Sequence, residues 1–189
     1  GYGKGPDGKD ADPRNKSSLD LKVFRHTLGL FSESGGGIFS LTPILGEVSA
    51  EKGWLDRVRE ARTYPNIIGV SCFTNAILLH RFGSRSILSS GLTHMHISTC
   101  LGSKDQYERL YGVDRFDKVV ENVLDILRCN KEMGYPVDIH LNLRQDKPYE
   151  PFFSSDLYSE LVDLIDDHKK IVILDDLWDN FRGIINLEG

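Results

Sequence analysis

One carboxylate stands out by its position. In FSLTPILGEVSAEKGWL an apolar run breaks at Pro43 and Gly46, and Glu47 follows the break just before a helix-like pattern begins. Other polar side chains recur at comparable places: Thr74 and Asn75 after IIGVSCF, Ser98 and Thr99 after THMHI, Asn142 and Arg144 after VDIHL, and Asp175 and Asp176 after IVIL. A carboxylate is a partner for an ammonium, and a guanidinium grips a carboxylate through paired hydrogen bonds. Hydroxyls and amides supply neutral donors and acceptors between them. Such a set suits a zwitterionic, amino-acid-like ligand.

Each of these residues also has a structural reading. Glu47 can simply favour the start of the helix that follows, and Thr74 and Asn75 are common capping and turn residues. His94 and His96 alternate along one strand-like run, yet no third ligand stands at a suitable spacing for a metal. Cys72, Cys100 and Cys129 are odd in number and 28 and 29 residues apart, so they read as reduced thiols rather than as a disulfide framework or a cluster motif. Asp166 and Asp167 read as a solvated helix end.

The elements that must position these residues are legible as pattern. Short continuous apolar runs at about residues 38–42, 67–73, 93–98, 136–143 and 171–175 read as buried strands. Between them lie helical patterns. LDLKVFRHTLGLF places Leu19, Leu21, Phe24, Leu28 and Phe31 at mostly helical spacing and stops at SGGG. DRFDKVVENVLDILRCNKEM carries a stripe through Phe116, Val119, Val120, Val123, Leu124 and Leu127. SDLYSELVDLIDDHKK begins at a Ser155 cap and ends in lysines that suit a helix C-terminus. Alternating strands and helices imply an α/β fold of crossover units on a parallel sheet. Ligands in such sheets gather at the carboxyl ends of the strands, where Glu47 and the other polar residues stand.

Composition narrows the function classes. The 189 residues suffice for one core, and 40% apolar with 27% charged residues is ordinary globular usage. With 23 basic against 28 acidic residues the net charge is −5 and no basic tract appears, which disfavours nucleic acid as a partner. No apolar stretch approaches the ~18 residues that span a bilayer, and the first residues, GYGKGPDGKDADPRNK, contain no apolar signal core. A soluble, cytoplasmic protein is the default expectation.

Several segments together resemble one family. LTPILGE, VSCFTNAILL, a strand ending at Ser98 and the helical SKDQYERLYGVDRFDKVVENVLDI are similar, in that order, to the core of radical S-adenosylmethionine (radical SAM) enzymes from the second strand onward, over about residues 15–186. The resemblance implies a partial (β/α)6 TIM-like barrel of parallel strands. It also implies SAM and a 4Fe-4S cluster as cofactors, and a 5′-deoxyadenosyl radical that modifies an unknown substrate, for which a peptide is one candidate. An electron donor such as flavodoxin or ferredoxin would serve the whole enzyme. Gly46 and Glu47 match the family's Gly-Glu turn, where backbone and carboxylate meet the methionine amino group of SAM. Ser98 resembles the polar residue near the SAM carboxylate or ribose, and Arg144 or Asn142 the strand-five residue on the same ligand. Thr74 and Asn75 join this cofactor-binding set; no catalytic residue is assigned.

Two departures matter. The family turn is usually Gly-Gly-Glu-Pro, whereas Leu45-Gly46-Glu47-Val48 stands here. The family's CxxxCxxC cluster motif has no counterpart, so the resemblance implies a fragment that starts beyond the cysteines and lacks strand one. The expected organisation is a loop or exposed N-terminal segment over 1–18, a radical SAM-like β/α core over 19–176, and over 177–189 a connector toward a C-terminal cysteine-rich extension of the SPASM type. The rival reading is a non-catalytic β/α module that has lost the cluster and binds a small ligand or a protein partner.

Overall fold

The computed structural model describes residues 18–42, 46–145 and 150–174. Residues 1–17 of the expected N-terminal segment 1–18, the expected connector 177–189 and the pair Asp175–Asp176 lie outside the described residues. Helix α1 (Leu21–Glu33) starts where the Asp20 carboxylate accepts the amides of Lys22 and Val23 at 2.8 and 3.3 Å. Leu19 precedes this cap, and both Leu19 and Leu21 are exposed, so the expected apolar stripe is correct only from Phe24 inward. The SGGG run turns the chain into β1 (Gly37–Leu41). Gly36 is obligatory in this turn. Its φ is +67°, and a Cβ there would lie 1.9 Å from the Asn66 carbonyl oxygen.

The remaining elements are α2 (Trp54–Ala61), β2 (Ile67–Thr74), α3 (Ser84–Leu88), β3 (His94–Thr99), α4 (Lys104–Tyr111), α5 (Phe116–Glu132), β4 (Asp138–Arg144), α6 (Glu150–Phe153), α7 (Asp156–Leu164) and β5 (Ile171–Leu174). The five strands form one parallel sheet in the order β1-β2-β3-β4-β5, so every hydrogen-bonded neighbour is also the next strand in sequence. The structure shows a parallel α/β sheet with alternating helices.

Period-two alternation decides what each face does. Met95 and Ile97 on β3, and Ile139, Leu141 and Leu143 on β4, are buried in one core with Val123, Ile126 and Leu127 of α5. The residues between them, His94, His96 and Ser98 on β3 and Asp138, His140, Asn142 and Arg144 on β4, are half-buried on the other face. Parallel sheets usually bury both faces. Here no described element covers the second one: Ile38, Phe73, Val172 and Leu174 remain 39–47% exposed.

An asparagine and a serine fix two of the connections. Asn130 on α5 donates to the Val137 carbonyl at 2.9 Å and accepts the Val137 amide at 3.2 Å, closing the turn into β4. That closure starts the strand at Asp138, two residues later than the apolar run suggests. Helix α7 is capped by Ser155, which accepts the Tyr158 amide at 3.1 Å, as expected. It ends at Leu164, however, and the lysines belong to a separate 3-10 turn, His168–Lys170.

Candidate functional site

Glu47 follows Gly46, whose φ of +112° reverses the chain at no steric cost only for glycine. Its extended backbone caps the 3-10 turn Val48–Ala50, where the pattern suggested a full helix. Oε1 accepts the Ser49 amide at 3.1 Å, the Ser49 hydroxyl at 2.7 Å and the Thr74 hydroxyl at 2.6 Å. Oε2 accepts the Asn75 amide at 2.7 Å. The carboxylate thus ties the segment beyond β1 to the end of β2. A carboxylate has about four lone-pair sites; the four protein donors crowd on Oε1, which takes three of them, and leave Oε2 with one.

Thr74 and Asn75 behave as turn residues as well. Thr74 Oγ1 accepts the Ala76 amide at 3.1 Å, and Asn75 Oδ1 accepts the Ile77 amide at 3.0 Å. Buried Ala76 takes a left-handed φ of +64°, and the turn is held from behind by Asn122 Nδ2, which donates to the Ala76 and Ile77 carbonyls at 2.7 and 3.1 Å. Cys72 lies buried in the same strand; burial first, then the charge of Glu47, pushes its thiol pKa far up.

A second group stands at the ends of β3 and β4. Arg144 Nε donates to Ser98 Oγ at 2.9 Å, and Ser98 is in register with Asn142. Tyr111 is near this guanidinium, and burial raises its pKa against the opposing pull of Arg144, so the phenol stays neutral. Thr74 is in register with Ile97, one residue before Ser98, so both groups sit at one level of the sheet. They approach that level differently. Thr74 is buried on the packed side, whereas Ser98, Asn142 and Arg144 belong to the open face, so a shared ligand would have to lie across the strand ends.

The pattern reading missed what lies inward of this rim on the open face. Phe73 stacks on His96 with ring centroids 4.4 Å apart and planes 10° from parallel, and His96 lies 5.1 Å from His140. His140 Nε2 is 3.4 Å from Asp138 Oδ1, which Lys170 meets at 2.6 Å. Partial burial works to raise the Asp138 pKa, but the hydrogen bond and charge of Lys170 prevail and hold it below its ordinary value. Burial, then the like charges of His140 and His94, lower the His96 pKa, so this imidazole is neutral at pH 7. The matching alternation in THMHIST and VDIHLNLR is the signal that could have found this row.

Among the described residues no group of three histidine, cysteine or acidic side chains can hold a metal ion. Cys72 and Cys100 are buried and Cys129 lies on α5, so these three thiols do not fit a 4Fe-4S cluster. No protein-family model matches the chain, and no curated protein matches it.

Proposed function

We propose that this chain is the SAM-holding core of a radical SAM enzyme, with its sheet forming part of a (β/α) barrel. The observation that carries the proposal is the turn beyond the first of five sequentially ordered parallel strands: Gly46 turns the chain, and Glu47 reaches the end of the next strand. Sequential order supports the barrel because a doubly wound sheet reverses its strand order, whereas a barrel does not. In this reading Glu47 Oε2 receives the ligand's ammonium, and Ser98 and Asn142 receive its carboxylate or ribose. Arg144 orients the Ser98 hydroxyl through Nε. When bound, SAM supplies the reactive alkyl fragment that such enzymes use on their substrates; the contribution of these residues is to bind and orient it.

A SAM binding isotherm on the purified chain tests this, with Glu47→Gln and Ser98→Ala beside it. Loss of the charged partner should weaken binding by about 1.5–3 kcal/mol. No measurable SAM binding would overturn the reading.

The four protein donors on Glu47 favour a second reading, a β/α module in which this carboxylate is a clamp and a different small ligand occupies the rim. SAM affinity unchanged by Glu47→Gln, with stability reduced, would select the clamp.

A further inference from the structure

We propose that Gln145 is a ligand-binding residue, and that the group it takes is planar and offers a hydrogen-bond donor beside an acceptor: a carboxamide, or the equivalent edge of a nucleobase. Gln145 directly follows β4, and its backbone amide still donates to the Leu174 carbonyl at 3.2 Å, so it holds the last place in the sheet at the carboxyl ends of the strands. Leu143, in register with Thr99, is buried on the packed side, and alternation puts Gln145 on that side too, behind the rim that Ser98 and Arg144 mark. The residue is 1% exposed, yet neither Nε2 nor Oε1 has a hydrogen-bond partner among the described residues. A buried polar group without a partner carries its desolvation cost uncompensated, and folded proteins keep few of them. Arg57 lacks a partner only at Nη1, because Nε bonds Glu51 at 2.7 Å and Nη2 bonds the Leu19 carbonyl at 2.5 Å. Gln145 is the one described residue with two such atoms, a donor and an acceptor on one planar group.

That pair of atoms selects the ligand. A carboxylate would satisfy Nε2 but set a second lone pair against Oε1, and an ammonium would satisfy Oε1 but set a donor against Nε2. A carboxamide satisfies both in one closed pair of hydrogen bonds, as does a base edge that carries an amino group beside a ring nitrogen. Because both atoms are unpaired, the choice is the same whichever way the amide is turned. Near-complete burial adds a second constraint: the group must enter edge-on between packed side chains, which suits a flat end. Tyr107, 1% exposed on the helix that follows β3, leaves its hydroxyl unpaired as well, so unmet hydrogen-bonding capacity is not confined to β4. Glu47 and Ser98 play no part in this site, and it does not rest on the SAM reading.

The test uses the full chain and two matched probe pairs, titrated by ligand-observed NMR: nicotinamide against methyl nicotinate, which lacks the donor, and adenosine against purine riboside, which lacks the amino group. In one pair the complete edge should bind about tenfold or more better than its truncated partner, and which pair does so tells a carboxamide from a nucleobase. Gln145→Met, nearly the same length without the amide, should abolish that preference. It should also leave the urea unfolding midpoint unchanged or raise it, since no protein group loses a bond. An amide that braced the fold would lower the midpoint instead. Equal binding within both pairs, no binding of either complete probe at millimolar concentration, a preference that survives Gln145→Met, or a lower midpoint in Gln145→Met overturns the proposal. A parallel SAM titration keeps the two readings apart: SAM binding with no preference in either pair sinks the Gln145 assignment alone, and a preference without SAM binding sinks the SAM reading alone.

Discussion

Glu47 accepts the backbone amide of Asn75 at 2.7 Å, from 28 residues earlier in the chain. That contact makes the segment beyond β1 and the end of β2 one mechanical unit. Charged hydrogen bonds that cross between elements are worth more than neutral ones, and the carboxylate accepts four in all.

Glu47→Gln should therefore destabilise the chain by about 1.5–3 kcal/mol in urea unfolding, because an amide nitrogen must face an N–H or O–H donor whichever way it turns. Thr74→Val, which at nearly constant volume removes a donor to Glu47 and the acceptor of the buried Ala76 amide, should cost about 1–3 kcal/mol. In a double-mutant cycle the two losses should not add. Independent effects would mean that the carboxylate and Thr74 do not act together.

The Ser98–Arg144 contact should behave in the opposite way. It lies on the open face, where water can replace either partner, so Arg144→Lys should change stability by less than about 0.5 kcal/mol. The same substitution removes the planar Nε donor that aims the Ser98 hydroxyl. Under the proposed SAM reading, affinity for SAM should fall while the unfolding midpoint stays fixed; a parallel loss of both would make the pair a structural brace.

Protonation of His96 supplies a pH test. Its folded-state pKa lies below the unfolded value near 6.5, so the unfolded chain binds more protons between the two. The contribution to stability is fully present above about pH 6.5 and is lost as pH falls from there through the folded pKa. His140→Phe keeps a ring and removes one like charge. NMR titration should show the His96 pKa rising part of the way toward the ordinary value, since burial, the larger cause, remains. A titration curve unmoved by His140→Phe would remove the charge coupling.

Asn122→Ala should cost about 2 kcal/mol or more, because it strands the Ala76 and Ile77 carbonyls beside a left-handed turn. Amide hydrogen exchange should rise at Ala76 and Ile77, whose N–H groups are bonded within the turn, well before it rises in β2. Uniform exchange changes across the sheet would show that Asn122 supports the fold at large and not this turn.

The strands were legible because a short continuous apolar run has few other uses, and α5 because one stripe persists through seventeen residues. Shorter elements resisted for particular reasons. Leu19 and Leu21 fit a helical period, but Asp20 starts the helix between them and leaves both outside the core. Lys169 and Lys170 look like a helix end, yet Ile165 is already extended and Lys170 turns toward Asp138. The polar rim could be read from strand ends alone. The Glu47 bonds and the stacked row could not, since both depend on the register that sets Phe73 beside His96 and His96 beside His140. Asn122 and Asn130 look like ordinary helix polars until the carbonyls that they serve are placed.

Because each described strand pairs only with its neighbours in sequence, the sheet can grow by accretion. Ser71 finds His94, and His94 then finds Asp138, without any segment waiting for a distant end of the chain to arrive. Contacts of this modest sequence separation shorten the search for a parallel sheet, which otherwise folds slowly. A ribosome delivering the chain from its N-terminus would release each crossover unit in the order in which it docks. The same property makes the architecture extensible: one more β/α unit added at an outer strand leaves every interior pairing as it was, so lineages can lengthen or trim such a sheet without redesigning its middle.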